Sequence, residues 1–180
     1  MIAQRYARAL FEFARAQGAD REIYENMTCL LGCYAAVENF SSSLDSPVLG
    51  RGVKLSLVCE ASGAKGECAF RQFAKLVMRN RREGYFRAIA HHYLRIFRAH
   101  YGVMLARLTV ARESDADIKE RLVPLVKREE WVRTVEFDLT VDSAIGGGFI
   151  LEFDTWRLDA SLATQLRRVA RGFGERNRTT

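Results

Sequence analysis

Tyr101-Gly102-Val103-Met104-Leu105-Ala106-Arg107-Leu108-Thr109-Val110 carries a change of rhythm. Up to Tyr101 apolar residues recur every three or four positions. After Gly102, Met104, Ala106, Leu108 and Val110 alternate with Arg107 and Thr109. The first spacing predicts helices and the second a half-buried strand, so a domain boundary is expected at this point. The chain reads as multidomain, α then α+β: an amino-terminal six-helix bundle over 1–105 and a small α+β domain over 106–180.

Upstream of the boundary, polar Gln4, Arg5, Arg8, Glu12 and Arg15 fall on one side of a helix from Ala3 to Gln17, which Gly18 ends. Asp20 is expected to cap a second helix with the stripe Ile23, Met27, Leu30, Tyr34 and Val37. Ser41 to Pro47 should break it, and a short helix then covers Val53 to Glu60. Glu67 to Asn80 follows, with Phe70, Phe73, Ala74 and Val77 inward, and then a long helix bearing Phe86, Ile89, Tyr93, Phe97 and Tyr101.

Downstream, Asp115 to about Arg128 reads as a helix opened by a Ser114/Asp117 capping box and disturbed by Pro124. Val135, Phe137, Leu139 and Val141 mark a second strand. After Gly146-Gly147-Gly148 come a strand over Phe149 to Phe153 and a shorter one with Trp156 and Leu158. Leu162, Leu166, Val169 and Phe173 form the last helical stripe.

At 180 residues, 48% hydrophobic and with two prolines, the composition is that of a folded chain. No apolar stretch approaches the ~20 residues of a membrane span. Four cysteines without a signal-peptide core predict reduced thiols and a cytosolic setting. The net charge of +6 lies entirely in the front half, where 15 Lys/Arg face 9 Asp/Glu.

Chemistry is hard to find. The triple glycine lacks the lysine and hydroxyl of a phosphate loop and leads into a strand, so it is expected to mark a bulge or tight strand entry. Cys29 and Cys33 share a helix face, but neither C-x-x-C nor H-E-x-x-H spacing occurs, and unpaired cysteine behaves as a small buried hydrophobe. His91, His92 and His100 have no nucleophile motif beside them. We expect no catalytic residue, no metal and no cofactor. The cluster Arg79-Asn80-Arg81-Arg82, continuing to Arg87, Arg95 and Arg98, fits a solvated face, an acidic protein partner, or a nucleic-acid footprint with Tyr85 and Phe86 stacking. A basic, helix-rich RNA-binding adaptor is therefore one reading of the whole chain.

Two helices carry more apolar surface than one core needs. On the first, the apolar arc from Ala9 through Ile2, Phe13, Tyr6, Leu10, Ala3, Ala14 and Ala7 to Phe11 spans about 200°, where about 100° suffices. Glu67 to Asn80 gives a similar arc, from Leu76 to Met78. Either these are central helices covered by the others, or a groove between them accepts an amphipathic helix.

Several stretches resemble one family along nearly the whole chain. They are Tyr6-Ala7-Arg8-Ala9-Leu10-Phe11-Glu12-Phe13-Ala14; Ser46-Pro47-Val48 with Lys54; Phe70-Arg71-Gln72-Phe73-Ala74-Lys75-Leu76 leading to Asn80-Arg81-Arg82; and Val141-Asp142, Gly147-Gly148-Phe149 and Asp159-Ala160-Ser161 ahead of Gln165-Leu166. In this order they are similar to the delta subunit of bacterial F-type ATP synthase, the family of the mitochondrial oligomycin-sensitivity-conferring protein. The family pattern V-D-P-S-L-I-G-G meets Ser143 and Gly146 here in place of its proline and isoleucine, which predicts a differently shaped loop before the third strand.

The resemblance implies a non-catalytic stator subunit that links the alpha/beta head to the b subunits of the peripheral stalk, so that rotary hydrogen ion transport couples to ATP synthesis. It implies that 1–105 binds the amphipathic amino-terminal helix of an alpha subunit on the first and fifth helices, through Tyr6, Ala9, Leu10, Phe13, Phe73, Leu76, Val77 and Asn80. It implies that 106–180 holds the stalk through Gly147, Gly148, Phe149, Asp159, Leu162 and Leu166. The chain would be a monomer within the complex, on the cytoplasmic face of the bacterial inner membrane, touching membrane only through its partners and binding no nucleic acid.

Overall fold

The computed structural model describes residues 2–112, 117–127, 132–153 and 155–176, with side chains of the last helix described through Val169. The chain divides into two compact units, Met1–His100 and Tyr101–Thr180.

Among the described residues the first unit holds helices α1 (Ile2–Ala16), α2 (Asp20–Ala36), α3 (Phe40–Asp45), α4 (Arg51–Ser62), α5 (Ala69–Arg79) and α6, which spans Phe86–Tyr101 and so reaches the boundary. Its core is apolar and aromatic: Leu10, Ile23, Met27, Leu30, Leu44, Val58, Phe70, Val77, Phe86, Ile89 and Tyr93 are all essentially inaccessible. Asp20 does not cap α2; Ala19 occupies that position and Asp20 is the first helical residue, where its charge meets the positive helix end. Val37 lies outside the stripe because it is the extended C-cap residue of α2 and half exposed. The serine run does not simply break the chain. It forms α3, where the hydroxyls of Ser42 and Ser43 donate to the Asn39 carbonyl at 2.9 and 2.8 Å.

The second unit is a mixed four-stranded sheet with helices α7 (Lys119–Val126) and α8 (Leu162–Arg176). The strands β1 (Val103–Val110), β2 (Thr134–Val141), β3 (Phe149–Phe153) and β4 (Trp156–Asp159) stand in the order β2-β1-β3-β4. β1 pairs parallel with β2 and antiparallel with β3, and β4 closes a hairpin on β3. Register sends Met104, Ala106, Leu108 and Val110 to the face that also receives Val135, Phe137, Leu139 and Leu151, where Leu122, Val126 and Val132 complete the core. Pro124 sits within α7, which ends two residues later at Val126. The Ser114 capping box and Arg128 lie outside the described residues.

Candidate partner-docking site

Most of the wide arc on α1 is core: Ala3, Ala7, Leu10, Phe11 and Ala14 are buried. The remainder is not. Phe13 is 38% exposed and Leu76, on α5, 40%. A groove of about 590 Å³ opens between these helices, lined by Arg5, Tyr6, Ala9, Leu10 and Phe13 from α1, by Gln72, Phe73 and Leu76 from α5, and by Asn80 at the end of α5. Its floor is aliphatic and aromatic, with Leu10 and Phe73 packed into the core beneath it. The Tyr6 ring meets Phe73 edge-on at 6.4 Å, and Asn80 Nδ2 donates to the Tyr6 phenolic oxygen at 3.0 Å. Val77 is fully buried below the floor and lines nothing: its place on the helix belongs to the core stripe with Phe70 and Ala74. Arg5 and Gln72 line the groove without having stood out in the sequence; both are polar residues flanking the apolar arcs, the positions from which a rim is built.

In the second unit Gly147, Gly148, Phe149, Asp159 and Leu162 meet at one joint. Leu162 N donates to Gly147 O and Ala160 N to Phe149 O, both at 2.9 Å. Gly148 has φ of 74°, and a Cβ there would stand 2.3 Å from the Ala160 carbonyl oxygen, so only glycine fits. Asp159 organises the start of α8: Oδ1 accepts from Ser161 Oγ at 2.6 Å and Ser161 N at 3.0 Å, and Oδ2 from Thr164 Oγ1 at 3.0 Å. These hydrogen bonds, from the hydroxyl of Ser161 first, hold its carboxyl below the usual aspartate range. Asp142 Oδ1 likewise accepts from Ala144 N ahead of a 3-10 turn over Ser143–Ile145, and Gly146 follows in left-handed backbone. The triple glycine is thus a turn and tight strand entry.

From that joint α8 extends with its stripe uncovered: Leu162, Leu166 and Val169 are 46%, 60% and 55% exposed. A helical period reports a two-sided helix but not what lies against it, and here Trp156 and Leu158 on β4 are exposed as well. The opposite face of the sheet, beside Leu105 and Ile150, carries a charged row. Arg107 stands 3.8 Å from both Asp138 and Glu152, and Glu152 2.9 Å from Arg157, one alternating row across all four strands.

Phe86 is fully buried, so it cannot stack a base beside Tyr85. Of the cysteines only Cys59 is buried; Cys29 is exposed because it falls on the outer side of α2. Among the described residues no three His, Cys, Asp or Glu side chains converge on a metal-sized space, and no helix is long and apolar enough to cross a membrane.

A model of the family described as ATP synthase delta (OSCP) subunit matches residues 2–173. The chain is 34% identical to ATP synthase subunit delta of Bacteroides thetaiotaomicron, over 99% of its own length and 96% of that relative's. It is equally identical, with the same coverage, to the protein of that name in Phocaeicola vulgatus. Its fold is also found in a chain of the Toxoplasma gondii mitochondrial ATP synthase hexamer, at a TM-score of 0.61 and 19% identity over 96% of this chain and 97% of that one. With sequence match and fold extending through both units, the chain belongs to the ATP synthase delta (OSCP) subunit family.

Proposed function

We propose that the first unit, working as a six-helix bundle, grips the catalytic head by taking the amino-terminal helix of an alpha subunit into the Tyr6–Asn80 groove. The second unit would hold the b subunits of the peripheral stalk around the Gly147–Leu162 joint and the α8 stripe. By family the chain is a non-catalytic stator subunit of F-type ATP synthase: turning of the central shaft drags on the head, and the stator opposes that drag. Its place would be the cytoplasmic face of the bacterial inner membrane, reached only through its partners.

The groove carries the reading. Its lining is mainly apolar, with Ala9, Leu10, Phe13, Phe73 and Leu76 beside the polar Arg5, Gln72 and Asn80, the kind of surface that receives the i, i+3, i+4 and i+7 side chains of an amphipathic helix. A peptide of the first ~20 residues of the cognate alpha subunit should bind the full chain and gain helicity as it docks. Leu76→Asp should abolish that binding with the circular dichroism spectrum unchanged, since Leu76 is 40% exposed and its carboxylate is desolvated only by the incoming helix. A folded Leu76→Asp chain that binds normally would remove the groove from the function.

A further inference from the structure

α5 ends in a capping arrangement that glycine usually completes. Arg82 N donates to Val77 O and Arg81 N to Met78 O, both at 3.1 Å, the bond pair of a Schellman motif with Asn80 as C-cap. Arg81 occupies the left-handed position with φ of 53° and is the one non-glycine residue with positive φ among the described residues. Side chains with a Cβ are disfavoured there and glycine is not, so Arg81 carries a conformational penalty that glycine would not.

Other cations gather beside it. Arg5 lines the groove next to Tyr6, whose oxygen Asn80 binds. Arg79 follows Gln72 by seven residues and Leu76 by three, which puts it on the groove side of α5. Arg5, Arg79 and Arg81 are exposed, and among the described residues none has a carboxylate partner. Toward the amino-terminal end of α5 a single carboxylate already engages two cations, Glu67 standing 2.7 Å from Lys75 and 3.3 Å from Arg71. Arg5 is the charged residue of the groove lining and stands beside Tyr6 at the Asn80 end, so that end of the groove is cationic.

We propose that Arg5, Arg79 and Arg81 form a carboxylate clamp that orients the docked helix, whose first turn carries acidic residues and lies over the Asn80 end. Guanidinium forks match carboxylates, and carboxylates belong in a helix's first turn, where they meet its positive end. The clamp rests on the groove reading given above and adds polarity to it. A nucleic-acid phosphate backbone is disfavoured because the adjoining surface is an apolar groove and Phe86 is buried.

The test uses the full chain and three synthetic amphipathic peptides of about 20 residues with one shared apolar face, differing only in a Glu, Gln or Lys pair in the first turn. Titration calorimetry should rank them Glu, Gln, Lys, with roughly tenfold between the extremes at low salt and less at high salt. Arg79→Gln and Arg81→Gly should each shrink that preference, while Arg81→Gly raises the urea midpoint because glycine relaxes the cap. A purely structural arginine would show the midpoint shift alone, which would overturn its part in the clamp. Equal affinities for the three peptides, all lost in Leu76→Asp, would refute the clamp and leave the groove. Absence of binding by every peptide would refute both. An oligouridine 20-mer that binds where the peptides do not would make the arginines a nucleic-acid surface and overturn the proposal.

Discussion

Asn80 and Tyr6 are 74 positions apart in sequence and 3.0 Å apart in the fold, the amide nitrogen donating to the phenolic oxygen across the mouth of the groove. This bond fastens the C-cap residue of α5 to α1. Tyr6→Phe keeps the ring against Phe73 and loses the acceptor, so the unfolding free energy should fall by no more than ~1 kcal/mol in urea titrations. Tyr6→Ala removes a wall of the groove and should weaken alpha-peptide binding well beyond the effect of Tyr6→Phe, as read by calorimetry.

Lys54 on α4 and Glu83, in the turn after α5, form an ion pair at 3.0 Å with side chains 5% and 19% exposed. Lys54→Met leaves a buried carboxylate without its cation and should cost on the order of 3 kcal/mol, whereas the double change Lys54→Met/Glu83→Gln should recover a large part of it. Chemical denaturation of the single and double variants decides this.

Acid should loosen the same contact. Burial opposes ionisation of Glu83, but hydrogen bonds from its backbone and from Lys54, with the charges of Lys54 and Arg51, outweigh it and hold its carboxyl below the ordinary value. A folded pKa below the unfolded one contributes stability that is complete above the unfolded value near 4.5 and lost as pH falls through the folded value. Unfolding midpoints should therefore drop below about pH 4.5 in the native chain, with a smaller drop in Glu83→Gln.

Two neighbouring glycines should answer very differently to substitution. A Cβ at Gly148 meets the Ala160 backbone oxygen at 2.3 Å, so Gly148→Ala must move β3 away from the start of α8 and should cost several kcal/mol. Gly146 has φ of 72° and no atom closer than 4.0 Å, so Gly146→Asn, which tolerates left-handed backbone, should change stability by less than ~1 kcal/mol. Thermal unfolding gives the ranking. Stalk binding that survived in a folded Gly148→Ala chain would separate this joint from the stalk.

The period change at Gly102 foretold β1, though not its first residue, because alternation along a half-buried strand leaves a mark in the order of side chains. The excess arc on α1 left two readings, a covered central helix or a groove, and each holds for part of it: Ala3, Ala7, Leu10, Phe11 and Ala14 are buried while Phe13 is exposed. Val77 shows the limit of the resemblance instead: its spacing set it inward with Phe70 and Ala74, the resemblance drew it into the groove, and it is fully buried. The serines of α3 look like a breaker until their hydroxyls find the Asn39 carbonyl. Arg81 gives no warning at all, because left-handed backbone at an arginine is imposed by the cap bonds around it and not by its own preference.

Strand order also sets a timetable for the nascent chain. β1 lies in the middle of the sheet, and its partners begin at Thr134 on one side and Phe149 on the other. When Val110 leaves the ribosome all of α1–α6 has been synthesised and is free to collapse on local contacts, while β1 is flanked by two open edges. The helical half is thus finished before the sheet can close. For some seconds of synthesis, at ~5–20 residues per second, the chain exposes an apolar strand that only its own last third can cover. Truncation by premature termination between Val110 and Phe149 would leave that strand unpaired on at least one side, a product suited to aggregation and clearance, not to assembly.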